Sequence, residues 1–398
     1  MKIRRTIPPA ASPVNLNDLL HGLVGILSGE KYLEKLEKEL KEYFNVRHVF
    51  LVSSGKAALA LILNALKSLS QTRRQVLIPA YTCFSVPSAI VKAGLEVSLC
   101  DIDPSSFDFD YELLGEAVQD NTLCIIPNHL FGIPSDMDRI KSLSKERGVI
   151  VVEDAAQAMG GMYKGKMLGT IGDVGFFSLN RGKNITCGSG GIIVTNSDII
   201  ASSINEEVSC LNNPRPIETI KEFLKMLSMS IFIRPSLYWF PSGLPFLRLG
   251  ETIFYKEFPL KRLSGMQAGF LRYWQKQLEE SNRIRQENAE YFLDRLRLRS
   301  RIRENNNASI PYLRLPVLVK NREERDKLFF ISKKKGSGLS LVYPTTINEI
   351  EEIKDLFDGK TFPNAKIVSE RLLTVPTHCF LKEKDIEEIC KLFKINQV

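Results

Sequence analysis

Along the first half of the chain, short apolar runs alternate with longer stretches of helical character. Residues 49–52, 76–78, 97–99, 123–126, 149–152, 174–178 and 192–194 read as short strands. Strand and helix alternating in this way predict a mostly parallel sheet with helices on its faces. Ahead of it lie an arm to about residue 15 and a helix carrying Leu33, Leu36, Leu40 and Phe44. After about residue 260 the pattern changes to a long helix over 265–298, strands at 313–319 and 339–343, and a last helix over 384–393. The reading is therefore an α/β chain with a large domain over 1–262 and a smaller α+β domain over 263–398.

Residues 226–246 break the alternation, being apolar and aromatic. Arg234, Pro235, Pro241, Gly243 and Pro245 interrupt them, so a membrane-spanning helix is not expected. A lid or subunit-contact insertion is the plainer expectation. Contact with a membrane surface through Tyr238 and Trp239 is the sharper one.

Composition narrows the class. The 398 residues are 44% hydrophobic, enough for two cores, and carry a net charge of +8. That charge is spread through mixed-sign helices: Glu287, Glu290 and Asp294 interrupt the basic residues between Arg283 and Arg303, which argues against nucleic-acid binding. It also suits attraction of diphosphate-bearing substrates. Pro8, Pro9 and Pro13 stand where a secretory signal would have its apolar core. Seven cysteines without regular spacing point to reduced thiols in the cytoplasm, and no Cys/His grouping has zinc-ligand spacing, so no metal is expected.

The chemistry concentrates between residues 151 and 196. An apolar run ends in Glu153 and Asp154, placing a carboxylate at the C-terminal edge of a strand, where open α/β sheets bind ligands. Such an acid needs a cation. Downstream, Lys183 lies between the strand-like run at 174–178 and Gly188, Gly190 and Gly191, on a loop whose backbone must pass close to something bulky. A buried carboxylate that keeps a pyridinium nitrogen protonated, and a partly desolvated lysine whose amine is free to condense with an aldehyde, are the two protein groups that pyridoxal 5′-phosphate (PLP) requires.

These residues fall within longer motifs. Glu153-Asp154-Ala155-Ala156-Gln157, the Tyr163-Lys164-Gly165 and Gly172-Asp173-Val174-Gly175 pair, and Phe177-Ser178 followed by Lys183 and Gly188-Ser189-Gly190-Gly191 together resemble the DegT/StrS family of PLP-dependent sugar aminotransferases, of aspartate-aminotransferase-like fold. Ser53-Ser54-Gly55-Lys56-Ala57-Ala58-Leu59 resembles that family's phosphate-binding turn, and His129 to Asp138 and Val375 to His378 resemble further family segments, so the likeness covers nearly the whole chain. It implies a seven-stranded-type sheet, PLP held by Lys183, and a pyridinium partner in Asp154. It further implies that Gln157 contacts the cofactor hydroxyl and that Ser54, Gly55, Lys56 and Ser178 lie at its phosphate. His129 is readable either as functional or as a packed strand-end histidine, and Thr82 and Asp173 as structural. The implied reaction moves an amino group from an amino acid, glutamate by resemblance, to a nucleotide-linked keto sugar in a homodimer with shared sites.

Three positions depart from the family pattern. Lys56 replaces threonine, Cys83 stands where an aromatic ring stacks on the cofactor, leaving Tyr81 and Phe84 as substitutes, and Leu260 stands where an asparagine reaches the neighbouring subunit's phosphate. They keep open a PLP-binding regulator without catalysis. A sugar dehydratase on the same scaffold would replace the lysine, commonly with histidine, and Lys183 argues against it.

Overall fold

The computed structural model describes residues 4–298 and 308–395. Its centre is a seven-stranded sheet in the order His48–Val52, Gly191–Thr195, Val174–Ser178, Ile150–Asp154, Thr122–Ile125, Gln75–Pro79, Glu96–Cys100. Gly191–Thr195 alone among these runs antiparallel to its two neighbours, and the other pairings are parallel. The expected mostly parallel sheet is therefore present. Every residue of Val174–Ser178 and Gly191–Thr195 is buried, which is why these segments read as continuous apolar runs instead of alternating ones.

The helix Gly55–Leu69 crosses one face of the sheet with Gly55, Ala57 to Leu63, Ala65 and Leu66 buried. On the other face, Leu36, Leu40 and Phe44 of the helix Gly29–Phe44 are buried, and Phe44 stacks on Phe177 with ring centroids 4.6 Å apart. Leu16–Leu27, a helix that the sequence pattern did not single out, crosses Gly265–Phe270 at a backbone contact that only glycines permit: a Cβ on Gly25 would lie 2.3 Å from the carbonyl oxygen of Gly265. Opposite that contact, Leu16, Leu20, Leu23 and Leu27 are exposed.

Two expectations for the second half need correction. The long helix over 265–298 is two helices, Gly265–Phe270 and Trp274–Arg295, because Leu271 leaves helical geometry and the chain turns before Trp274. The strand at 339–343 is absent; Ser340 makes a single bridge to Thr374, and the chain then bends through Val342, whose φ is 51°. Only Arg314–Leu318 and Leu372–Pro376 pair as a two-stranded sheet there. The apolar segment contributes the helix Pro216–Phe232 and two short turns, Trp239–Ser242 and Pro245–Leu247. Among the described residues no helix is long and apolar enough to cross a membrane.

The N-terminal arm is pinned rather than loose. Arg285, fully buried in Trp274–Arg295, donates to the carbonyls of Ala11 at 2.6 Å and Leu313 at 2.9 Å. The His378 ring nitrogen Nε2 lies 2.8 Å from the carbonyl of Pro8, so the imidazole is neutral and donates that hydrogen. Burial, reinforced by the Arg285 charge, lowers His378 from its ordinary 6.5 to about 3. Between those values the unfolded chain binds a proton that the folded chain does not. Stability from this site is therefore complete above the unfolded value and falls as the pH drops toward the folded one, by up to roughly 1.4 kcal/mol per pH unit. Urea midpoints recorded across that range should slope downward in the wild type and distinctly less in His378→Gln, and equal slopes would count against the assignment.

Candidate active site

Three chain segments converge at the C-terminal edge of the sheet. The first is the turn entering Gly55–Leu69. Ser54, in extended conformation, caps the helix, its Oγ accepting the Ala57 amide at 3.1 Å, while the first amides beyond it have no partner within the helix. The turn is held from two sides. A Cβ on Gly55 would sit 2.8 Å from the Cβ and 3.1 Å from the Oγ of Ser178, and a Cβ on Gly191 would sit 2.3 Å from the carbonyl oxygen of Ser54. The bulky object beside the glycine loop is thus the Ser54 carbonyl. Ser53 Oγ is buried with no hydrogen-bond partner among the described residues. A helix N-terminus of fifteen residues, a serine hydroxyl across from it and room only for glycine form a cradle suited to a phosphate.

Gly191→Ala should show how tight this cradle is. The added methyl must push the Ser54 turn aside, at a cost of about 1–3 kcal/mol in stability. PLP affinity, followed by fluorescence titration, should weaken in step; unchanged affinity would mean that the turn does not hold the phosphate.

The second segment is the end of Ile150–Asp154. Asp154 is buried and its carboxylate is oriented by two donors, the Asn128 side-chain amide at 2.6 Å and the Ala156 amide at 3.0 Å. Asn128 also donates to Thr82 Oγ1 at 2.9 Å, tying the carboxylate to the next strand's exit. Burial raises the Asp154 carboxyl above its ordinary range, although the Ala156 amide and the Lys183 charge pull it back. Such an acid is incompletely compensated by the protein alone, and a protonated pyridine nitrogen is a cation of the right kind.

Glu153 next to it has a different task. It is fully buried, accepts the Gly169 amide at 2.8 Å and the amides of Ile171 and Gly172, and lies 3.0 Å from His129 Nε2. His129 Nδ1 in turn accepts the Ser135 amide at 3.2 Å. Both nitrogens of His129 are therefore committed to structure, which favours the packed reading over the functional one. Asp173 accepts the Val151 amide at 2.8 Å and is likewise structural.

Lys183 sits on the third segment, the loop between Val174–Ser178 and Gly191–Thr195. It is half-buried, and its carbonyl accepts a hydrogen bond from Ser12 Oγ, while Gly182 packs on Ala10. The arm pinned by Arg285 and His378 thereby holds the lysine loop in place. Burial lowers the Lys183 ammonium below its ordinary value; Cys83 and Asp154 oppose the shift and Arg314 adds to it. The amine is accordingly neutral more often than a surface lysine's, as attack on an aldehyde requires.

Gln157 lies in a stretch, residues 155–160, that forms turns and no helix, with the Ala156 amide donating back to Asp154. Its side chain accepts the Phe131 amide at 3.2 Å and donates to Tyr343 Oη at 2.8 Å. Tyr343 is a site residue that sequence reasoning missed, since it was placed in a strand. Tyr81 donates to the Tyr343 carbonyl at 3.3 Å and the Phe84 ring lies 6.5 Å from that of Tyr343, so both candidate stacking rings are turned toward it. Cys83 Sγ is 3.0 Å from Ser85 Oγ. The Lys56 ammonium lies over the rings of Tyr255 and Phe258, at 4.5 and 4.7 Å, instead of extending into solvent. Leu260 is packed against the core beside Lys261, whose carbonyl accepts the Ser53 amide at 2.9 Å. Among the described residues no cluster could ligate a metal.

The chain is similar to known proteins. The profile of the DegT/DnrJ/EryC1/StrS aminotransferase family matches residues 15–215 and 259–394. A pleiotropic regulatory protein of Geobacillus stearothermophilus is 36% identical over 171 residues, 43% of this chain and 45% of that protein. The GDP-perosamine synthase of Vibrio cholerae is 34% identical over 175 residues, 44% of this chain and 47% of its own. The chain thus spans about half the length of the curated relatives it matches. Among solved structures, the sugar aminotransferase CalS13 from Micromonospora echinospora superposes with a TM-score of 0.77 at 20% identity, covering 98% of this chain and 100% of that one, which establishes the fold.

Proposed function

Because the chain belongs to the DegT/DnrJ/EryC1/StrS aminotransferase family, we propose that it is a PLP-dependent aminotransferase that moves an amino group from L-glutamate to a nucleotide-linked keto sugar. The observation that carries this reading is the pairing of a half-buried Lys183, its ammonium below its ordinary value, with a buried Asp154, its carboxyl above its own, each acting on the other. The phosphate cradle of Ser54, Gly55 and Ser178 stands in the same site.

PLP, when bound, supplies the electron sink that makes the bond between the amino-bearing carbon and its hydrogen acidic. The residues supply the rest. Asp154 keeps a proton on the pyridine nitrogen, and Asn128 and the Ala156 amide hold its carboxylate in place. Ser54, Gly55 and Ser178 hold the phosphate. Lys56 would contribute its backbone amide at the same helix N-terminus, while its ammonium rests over Tyr255 and Phe258. Gln157, braced by Tyr343 and the Phe131 amide, would contact the ring hydroxyl. Lys183 Nζ would hold the cofactor's aldehyde and, as a free amine, would take the proton from the donor's Cα and deliver it to the cofactor carbon on the far side of the nitrogen. The acceptor is read as a keto sugar on a nucleotide, and the product as an amino sugar for surface polysaccharide. A homodimer is part of the reading; the exposed leucines of Leu16–Leu27, with Ile217, Ile220, Leu224 and Ile231 exposed on Pro216–Phe232, offer apolar area for it.

The test is the absorbance spectrum of the PLP-loaded protein before and after L-glutamate. Conversion of the visible band to the pyridoxamine form supports the reading. A bound cofactor that no amino acid changes would favour a regulator, and a response to other amino acids alone would exclude glutamate.

A further inference from the structure

Residues 216–258 lie outside the family profile, so the activity common to the family gives no account of them. They have two parts of different character. On the helix Pro216–Phe232 the exposed apolar side chains, Ile217, Ile220, Leu224, Leu227 and Ile231, recur every three or four residues, the spacing of a seam between helices. Beyond Ile233 that period is lost. The chain makes only the short turns Trp239–Ser242 and Pro245–Leu247, yet Leu237, Phe240, Phe246, Leu247 and Leu249 are exposed, Phe246 by 76%. An apolar loop of this kind offers no ridge to a partner helix.

The loop is anchored at its base and bare at its tip. Thr6 donates its amide to the carbonyl of buried Pro235 at 2.7 Å, and Thr252 donates its hydroxyl to the Val342 carbonyl at 3.2 Å, two residues before buried Phe254. Val342 precedes Tyr343, which braces Gln157, so the base of the loop adjoins the candidate active site. Between these anchors, from Ser236 to Glu251, no residue is buried. The aromatic rings there find mostly one another: Phe240 packs on Phe232 and Trp239, with centroids 5.5 and 5.9 Å apart. Apolar area presented in this way on a fixed base marks a surface that something covers.

Charge indicates the occupant. From Phe223 to Gly250 there is no Asp or Glu, in a chain with 46 of them among 398 residues, whereas Lys225, Arg234 and Arg248 are present. Lys225 is paired with Glu222. Arg248 is only loosely tied, its Nε 3.9 Å from an exposed Glu251, and exposed Arg234 has no carboxylate partner among the described residues. A second copy docked on this loop about a twofold axis would bring the same cations together with no carboxylate between them. A lipid surface meets both needs at once: acyl chains take the apolar side chains, headgroup phosphates take the guanidinium groups, and the layer between them suits the rings of Tyr238 and Trp239, both half-buried. Among the described residues no helix could cross the membrane, so the contact is peripheral. We propose that residues 234–250 dock the protein on an anionic membrane surface, with Phe246 and Leu247 entering the acyl boundary and Arg234 and Arg248 on lipid phosphates.

The test is flotation of the full chain with vesicles of phosphatidylcholine alone and of an equal mixture of phosphatidylcholine and phosphatidylglycerol. The wild type should float with the mixture, less with phosphatidylcholine, and less again as salt is added. Exchanging Phe246 and Leu247 together for serine should weaken binding roughly 10- to 100-fold, and exchanging Arg234 and Arg248 for glutamine should weaken binding to the mixture roughly fivefold for each arginine. These side chains are exposed, so melting temperatures should match the wild type and exclude unfolding as the cause. The wild type also reports by itself. Of its two tryptophans Trp274 is buried, so a blue shift of emission on adding vesicles belongs to Trp239 and should vanish in Trp239→Phe. No flotation of the wild type with the mixture, or equal flotation of the serine variant, overturns the proposal. Equal binding to both compositions overturns the role of the arginines. A serine variant that floats like the wild type but sediments as a smaller species would assign the loop to a second copy, and the membrane surface would be refuted.

Discussion

Lys183→Ala should abolish amino transfer while leaving the fold intact. The contact that anchors this loop uses the Lys183 carbonyl, which accepts from Ser12, and alanine keeps that carbonyl. The side chain is half-buried and contributes no hydrogen bond to the described structure, so melting of the apoprotein should shift little. Chemistry should suffer twice. The covalent anchor for the aldehyde is gone, and so is the base that moves the proton, an effect of roughly 100- to 10,000-fold by itself. The variant should bind PLP through the phosphate cradle and Asp154 but release it on dialysis, whereas borohydride should fix the cofactor to the wild type. Lys183→Arg restores charge without a nucleophile and should fail as completely. Retention of the borohydride-fixed cofactor by Lys183→Ala would move the anchor to another lysine, of which Lys56 is the candidate in the same site.

Lys183 and Asp154 were legible in the sequence because each stands at a point where the pattern itself changes: an apolar run ending in acid, and a strand giving way to a glycine loop. The seven strands were legible for a related reason, since burial on both faces leaves an uninterrupted apolar run. What the sequence concealed depends on contacts between segments far apart in the chain. Asn128 reads as an ordinary turn amide until Thr82 and Asp154 are seen on either side of it. Tyr343 follows a residue with positive φ, and its neighbours have strand-like composition, so period and propensity pointed to a strand where a bend presents the hydroxyl to Gln157. The Asp154 side chain captures the Ala156 amide, so the residues up to Gln157 form turns and no helix.

Asp154→Asn should separate the cofactor's requirement from the protein's. Burial raises the Asp154 carboxyl, so in the apoprotein its folded value lies above its unfolded one. Ionising it therefore costs the folded state, a cost absent below the unfolded value and fully present once the pH exceeds the folded one. At neutral pH the apoprotein carrying asparagine, which has no charge to bury, should melt higher than the wild type. Adding PLP should reverse the order, because only the carboxylate pairs with a pyridinium. An adjacent opposite charge supports a cationic group by about 1–3 pKa units, and its loss should reduce the protonated fraction of the ring nitrogen, and with it the rate, roughly 10- to 1,000-fold. Differential scanning calorimetry of the four samples, wild type and variant with and without PLP, reads the reversal directly. A variant less stable than the wild type in both forms would mean that Asp154 serves the fold through Asn128 and Ala156, and not the cofactor.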